Sequence, residues 1–159
     1  VFHQLMGKVF RSVAVFSTKN PSIKTFRCPI RSLYHRYRIE GHIQKFGKNE
    51  VLKQIIFLDK KKSFEEHIKE YNKIDLALDT FPYNGVTTSF EAIWMGVPVL
   101  TLKGFNPNSR AGVSINKNLD MKYMIANNEQ EYISKAINLS NDYEKIISVN
   151  VSRKLICLY

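Results

Sequence analysis

The stretch "IDLALDTFPYNGVTTSFEAIWMGVPVLTL", residues 74–102, decides how the chain folds. It opens on a short apolar run at 74–79, passes through a polar loop holding Asn84-Gly85 and closes on a second apolar run at 97–102. Between them lies "TTSFEAIWMG", in which Phe90, Ile93 and Trp94 recur at helical spacing and Gly96 sits where a helix would stop. Short apolar runs bounded by turn residues read as buried strands, and the middle segment as a helix laying Phe90, Ile93 and Trp94 on the sheet. Strand, helix, strand in this order is a βαβ crossover.

The same grammar extends outward. "KQIIFLD" at 53–59 predicts another strand, and "SFEEHIKEYNK" at 63–73 a helix whose cap is Ser63, with Glu66 three residues on as its capping-box partner. Before these, "IEGHIQKFGKN" at 39–49 predicts a short helix with Ile39, Ile43 and Phe46 on one face and Gly47 at its end. Alternating strands and helices define the fold class as α/β, a parallel sheet with flanking helices.

Composition sets the outer limits. The 159 residues are 44% hydrophobic and 24% charged, which suits one domain with a core of its own. No run approaches the roughly 18 apolar residues of a membrane span. The opening residues "VFHQLMGKVFRSVAVFSTKN" are interrupted by Lys8 and Arg11 and make a poor secretory signal, so a cytoplasmic location is expected. Cys28 and Cys157 stand near opposite ends without metal-like spacing and read as free thiols.

The net charge of +10 is unevenly spread. Residues 1–50 hold ten Lys or Arg against Glu40 and Glu50, while residues 51–159 hold fourteen against twelve acids. The basic excess lies at one end, where "KTFRCPIRSLYHRYRIEGH" interleaves arginine with aromatic residues. Such a segment suits phosphate contact and base stacking, or is a solvated or disordered terminus. A basic nucleic-acid or protein-interaction module is therefore the alternative to any small-ligand reading.

In open α/β sheets ligands bind beyond the carboxyl ends of the strands, and "DTFPYNGVTT" is such a loop. Gly85 permits close backbone approach, Thr87 and Thr88 bring hydroxyls to a helix start, and free amides with the helix dipole favour a phosphate or pyrophosphate there. Glu91 has two readings: the reciprocal arm of a Thr88–Glu91 capping box, or an outward carboxylate that accepts from ribose hydroxyls. Asn84-Gly85 is a turn signal or part of the ligand loop. Arg110 either steers phosphate or pairs with surface acids, Tyr83 flanks a ligand or plugs the loop, and Asp79 binds loop amides. Ile93, Trp94 and Met95 read as core. The usual nucleotide fingerprints, G-x-x-x-x-G-K-[ST] and G-x-G-x-x-G, are absent from the sequence.

"DLALDTFPYNGVTTSFEAIWMGVPVLTLKG", followed by "NSRAGVSI" and "NNEQEYISKAINLSNDYEKI", closely resembles the C-terminal catalytic lobe of the O-linked N-acetylglucosamine transferase family, the family 41 glycosyltransferases that also include the plant SPINDLY proteins. The resemblance covers about residues 39–147 and is most specific over 74–112. It implies the Rossmann-like, nucleotide-binding C-terminal half of a GT-B glycosyltransferase, occupying residues 39–148. Residues 1–38 and the tail 149–159 depart from the family pattern, as divergent or disordered ends would, or ends from truncated or frame-shifted coding sequence.

By position, the resemblance implies that Gly85, Thr87 and Thr88 hold the donor pyrophosphate, that Asn84 belongs to the same nucleotide-sugar-binding loop, and that Glu91 meets the ribose. His67 matches a family histidine beside the nucleotide. A donor-contacting lysine falls among Lys60, Lys61 and Lys62, with Lys62 preferred, and Arg110 completes the set. Val86 replaces a histidine found in many members, which leaves the donor sugar open. The implied chemistry is metal-independent, inverting transfer from a nucleoside-diphosphate sugar, UDP-N-acetylglucosamine first, to a protein Ser or Thr hydroxyl. No cofactor and no catalytic base follow. The family's N-terminal lobe and its TPR repeats of about 34 residues are not found here, so the chain alone is expected to bind donor without turning it over.

Overall fold

The computed structural model describes residues 63–142 except Thr80 and Pro82, together with Ile146 and the strand segments 14–17, 25–29 and 55–58. Strands β1 (Ala14–Ser17), β2 (Thr25–Pro29), β3 (Ile55–Leu58), β4 (Leu76–Leu78), β5 (Val99–Leu102) and β6 (Ile125–Ala126) form one sheet in the order β3-β2-β1-β4-β5-β6. β4, β5 and β6 run parallel, with Ala77 opposite Val99 and Thr101 opposite Ile125. β2 and β3 are also parallel, whereas β1 runs antiparallel to both β2 and β4. The parallel sheet expected from the βαβ pattern is thus present, with one strand reversed near its middle. The helix predicted at 39–49, the remainder of 1–38, and the tail 149–159 lie outside the described residues.

Alternation along β4 and β5 sorts two cores onto the two faces. Leu76, Leu78, Leu100 and Leu102 meet Met124, Tyr132, Ala136 and Leu139 on one face, where helix α4 (Glu129–Asn141) packs. Ala77 and Val99 meet Tyr71, Ala92, Ile93 and Ile115 on the other, beneath helices α2 (Val86–Trp94) and α3 (Ala111–Asn118). Burial on both faces is why these strands read as continuous apolar runs.

Local chemistry fixes the helix ends. Helix α1 (Phe64–Glu70) begins as predicted, the Ser63 hydroxyl accepting from the Glu66 amide at 3.2 Å. Helix α2 ends as predicted: Gly96 takes φ 78°, its amide bonds to Ile93 O and the Val97 amide to Ala92 O, a Schellman closure open to glycine.

The covered face of α2 differs from the expectation. Ser89, Ala92 and Ile93 are buried, but Phe90 and Trp94 are 56% and 68% exposed. A period of about 3.6 residues places Phe90 and Trp94 on the stripe beside the buried one. Trp94 is therefore not core, while Ile93 is.

Candidate functional site

The site is built at the carboxyl end of β4. Asp79, 4% exposed, directly follows that strand, and its carboxylate accepts hydrogen bonds from the loop and from β5. The Gly85 amide donates to its Oδ1 at 2.9 Å, Asn84 Nδ2 to its Oδ2 at 2.6 Å, and the Thr101 hydroxyl of β5 to the same Oδ2 at 2.8 Å. The carboxylate thus ties both ends of the loop to the neighbouring strand. Its own carbonyl accepts from the buried Tyr132 hydroxyl at 2.9 Å, and burial, then the Asp79 charge, push the Tyr132 phenol well above its ordinary value. The expectation that Asp79 binds loop amides holds.

Asn84 is a bracket in this network. Its carbonyl oxygen accepts from the Gly112 amide at 3.4 Å, and its backbone amide reaches Asn108 O at 3.4 Å, so its side chain joins the loop to the start of α3. Gly112 is required by close packing, because a Cβ there would collide with Thr101 Oγ1 and Asp79 Oδ2.

With its amide held by Asp79, Gly85 becomes the cap residue of α2, and the helix starts at Val86, not at Thr88. Among the described residues no side chain caps it. The first intrahelical bond at this end is from the Ser89 amide to Gly85 O at 2.7 Å, which leaves the amides of Val86, Thr87 and Thr88 without helical acceptors. Val86 is 47% exposed, Thr87 is exposed and Thr88 half-buried, so this positive helix end opens to solvent.

This start removes the capping-box reading of Thr88 and Glu91, since Thr88 lies inside the first turn. Glu91 instead reaches across to α1. Its Oε2 is 2.9 Å from His67 Nε2 and accepts from the Tyr71 hydroxyl at 3.0 Å. The same hydroxyl lies 3.4 Å from Thr88 O. His67 and Tyr71 meet edge to face, centroids 5.6 Å apart. Burial first, and then the charge and hydrogen bond of Glu91, push the Tyr71 phenol upward, so it is held as a proton donor. Sequence reasoning missed Tyr71. Its one available signal was its place four residues after His67, on the same face of a helix.

The remaining predicted residues divide. His67, Gly85, Thr87, Thr88 and Glu91 lie on or against the start of α2. Arg110 is the residue before α3; its Nε donates to Gly104 O at 2.9 Å, and it pairs with no acid among the described residues. Tyr83 is 66% exposed and does not plug the loop. Lys62, with Lys60 and Lys61, lies outside the described residues. Among the described residues there is no cluster of three or more His, Cys, Asp or Glu with metal-binding geometry, and no helix long and apolar enough to cross a membrane.

A doubly covered sheet with an open helix start and a partnered carboxylate beyond its strand ends defines a Rossmann-like α/β lobe, in which the loops beyond the strands' carboxyl ends are the usual place for a ligand. Comparison with known proteins narrows that class. Residues 31–155 match the profile of glycosyl transferase family 41, and the chain belongs to that family. It is 38% identical over 87 residues to a tomato (Solanum lycopersicum) protein named "Probable UDP-N-acetylglucosamine--peptide N-acetylglucosaminyltransferase SPINDLY", covering 55% of this chain and 9% of that one. It is 30% identical over 115 residues, 71% of this chain and 10% of the other, to the UDP-N-acetylglucosamine--peptide N-acetylglucosaminyltransferase of Caenorhabditis elegans. Its structure superposes on a K341M mutant of the Thermobaculum terrenum O-GlcNAc transferase with a TM-score of 0.71 and 29% identity, over 79% of this chain and 24% of that one. The fold is accordingly the Rossmann-like half of a GT-B glycosyltransferase. The chain spans about a tenth of the length of the curated relatives it matches.

Proposed function

We propose that this chain is the sugar-nucleotide-binding lobe of a transferase that moves N-acetylglucosamine from UDP to Ser or Thr hydroxyls of proteins. One observation carries the reading: the uncapped start of α2 opens beside a carboxylate already fixed by two donors. Pyrophosphate oxygens suit the amides of Val86, Thr87 and Thr88, where the helix dipole stabilises negative charge. Ribose hydroxyls suit Glu91, which accepts hydrogen bonds as a carboxylate.

In such a transfer the acceptor oxygen attacks the anomeric carbon from the face opposite the leaving group, and negative charge accumulates on the departing UDP. Preorganised amides at that position lower the barrier, and loss of one such donor reduces rate by roughly 100-fold. The helix start performs this without a metal ion, and Lys62 is the additional cation this reading assigns to the donor. The acceptor side and the catalytic base belong to parts of the protein beyond this lobe. Relatives named for UDP-N-acetylglucosamine support the choice of donor.

Calorimetric titration of the chain with UDP, UDP-N-acetylglucosamine and GDP-fucose tests the proposal. Binding of the UDP ligands that disappears in the Thr88→Ala, Glu91→Ala double variant is expected. A folded chain that binds none of the three refutes the lobe reading, and binding of GDP-fucose in preference refutes the donor alone.

A further inference from the structure

Glu91 presents its two oxygens unequally. Oε2 takes both His67 Nε2 at 2.9 Å and the Tyr71 hydroxyl at 3.0 Å, while Oε1 has no partner among the described residues and is not buried. The Glu91 side chain is 20% exposed and that of His67 41%, whereas Tyr71 is only 4% exposed, its ring packed with Ile74, Ala92 and Ile93. The three groups therefore differ in rigidity. His67 sits at the rim on a helix of about two turns, and Tyr71 is seated in the core.

A glutamate has three side-chain torsions, and ordering it on ligand binding weakens affinity unless it is ordered beforehand. A phenol anchored in the core does that ordering. Its proton has no competing role, since burial and the neighbouring carboxylate keep it on the oxygen. The second contact, to Thr88 O at 3.4 Å, places the same hydroxyl against the first turn of α2.

We infer that Tyr71 is a positioning residue for the nucleotide site: by occupying Oε2 from the core it turns Oε1 outward as the acceptor for the ligand's vicinal ribose hydroxyls. This rests on the donor-lobe reading and deepens it. Tyr71 does not touch the ligand; it acts through Glu91. The alternative is that Tyr71 is only a core residue whose hydroxyl happens to find an acceptor.

Tyr71→Phe separates these, because it keeps the ring and deletes the hydroxyl. UDP and 2′,3′-dideoxy-UDP are titrated into the full chain and into the variant, with thermal unfolding confirming that both are folded. UDP binding is expected to weaken about tenfold in the variant, the usual effect of losing one hydrogen bond to a charged group, while dideoxy-UDP binding stays unchanged. The preference for the ribose hydroxyls then shrinks by the same factor. Equal weakening of both ligands, or no change in either, overturns the positioning role and leaves the lobe reading intact. Failure of the unsubstituted chain to bind UDP overturns the lobe reading, and the inference with it.

Discussion

Asp79→Asn is the perturbation whose outcome follows most directly from the structure. The substitution keeps shape and volume but removes the charge and replaces one acceptor oxygen by an NH2 group. In the native protein the two oxygens accept from Gly85 N, Asn84 Nδ2 and Thr101 Oγ1, so a donor placed at Oδ2 faces two donors, and one placed at Oδ1 faces the Gly85 amide. Either orientation breaks at least one bond inside a site where Thr101 is 0% exposed. A buried donor left without its acceptor destabilises by about 1–3 kcal/mol, and the loss of charge weakens the bonds that survive. A net loss of about 2–3 kcal/mol is therefore expected. For a chain of this size that corresponds to a fall in Tm of roughly 4–12 °C. Differential scanning calorimetry measures it, and hydrogen exchange at the Gly85 amide supplies a local readout, because that amide depends on Asp79. Faster exchange at Gly85 with a lowered Tm is the expected pair. A Tm within about 1 °C of the native chain, with Gly85 still protected, would show that Asp79 does not hold the loop.

Other expectations are shorter. Ile93→Ala should destabilise by about 2–5 kcal/mol, as truncations in a packed core do, whereas Trp94→Ala one residue later should stay within about 0.5 kcal/mol; denaturant midpoints compare them, and a larger effect at Trp94 would contradict the exposed stripe. Glu131 is held down to about 2 from its ordinary 4.5 by Lys135 and then by the Asn127 amide, which donates to Oε2 at 2.8 Å. A depressed carboxylate contributes stability that is present above pH 4.5 and is lost as pH falls through 2, so the Tm difference between native chain and Glu131→Gln should be constant near neutrality and vanish toward pH 2. Because Lys135 and Glu131 are partly exposed, that difference should be only about 1–3 °C, and a gap that persists at pH 2 would assign the stabilisation elsewhere.

The sequence by itself determined the βαβ elements around residues 53–102 and the family. Ser63 with Glu66 three residues on, the apolar runs at 74–79 and 97–102, and Gly96 after α2 each act within a few residues, so their consequences were legible from spacing. The segment 74–112 carried the resemblance, which the match to family 41 bears out. What only the tertiary structure decided lies in contacts between segments far apart in the chain. Periodicity shows that Phe90 and Trp94 share a stripe of α2, but only the packing of Ala92 and Ile93 on the sheet shows that the stripe is left uncovered. Spacing made Thr88 and Glu91 look like a capping box; Asp79, by binding the Gly85 amide, starts the helix earlier and frees Glu91 for another use. That use comes from His67 and Tyr71, 24 and 20 residues away in sequence. A carboxylate's role is set by the donors within about 3 Å of its oxygens, and those donors are supplied by the fold, not by its neighbours along the chain.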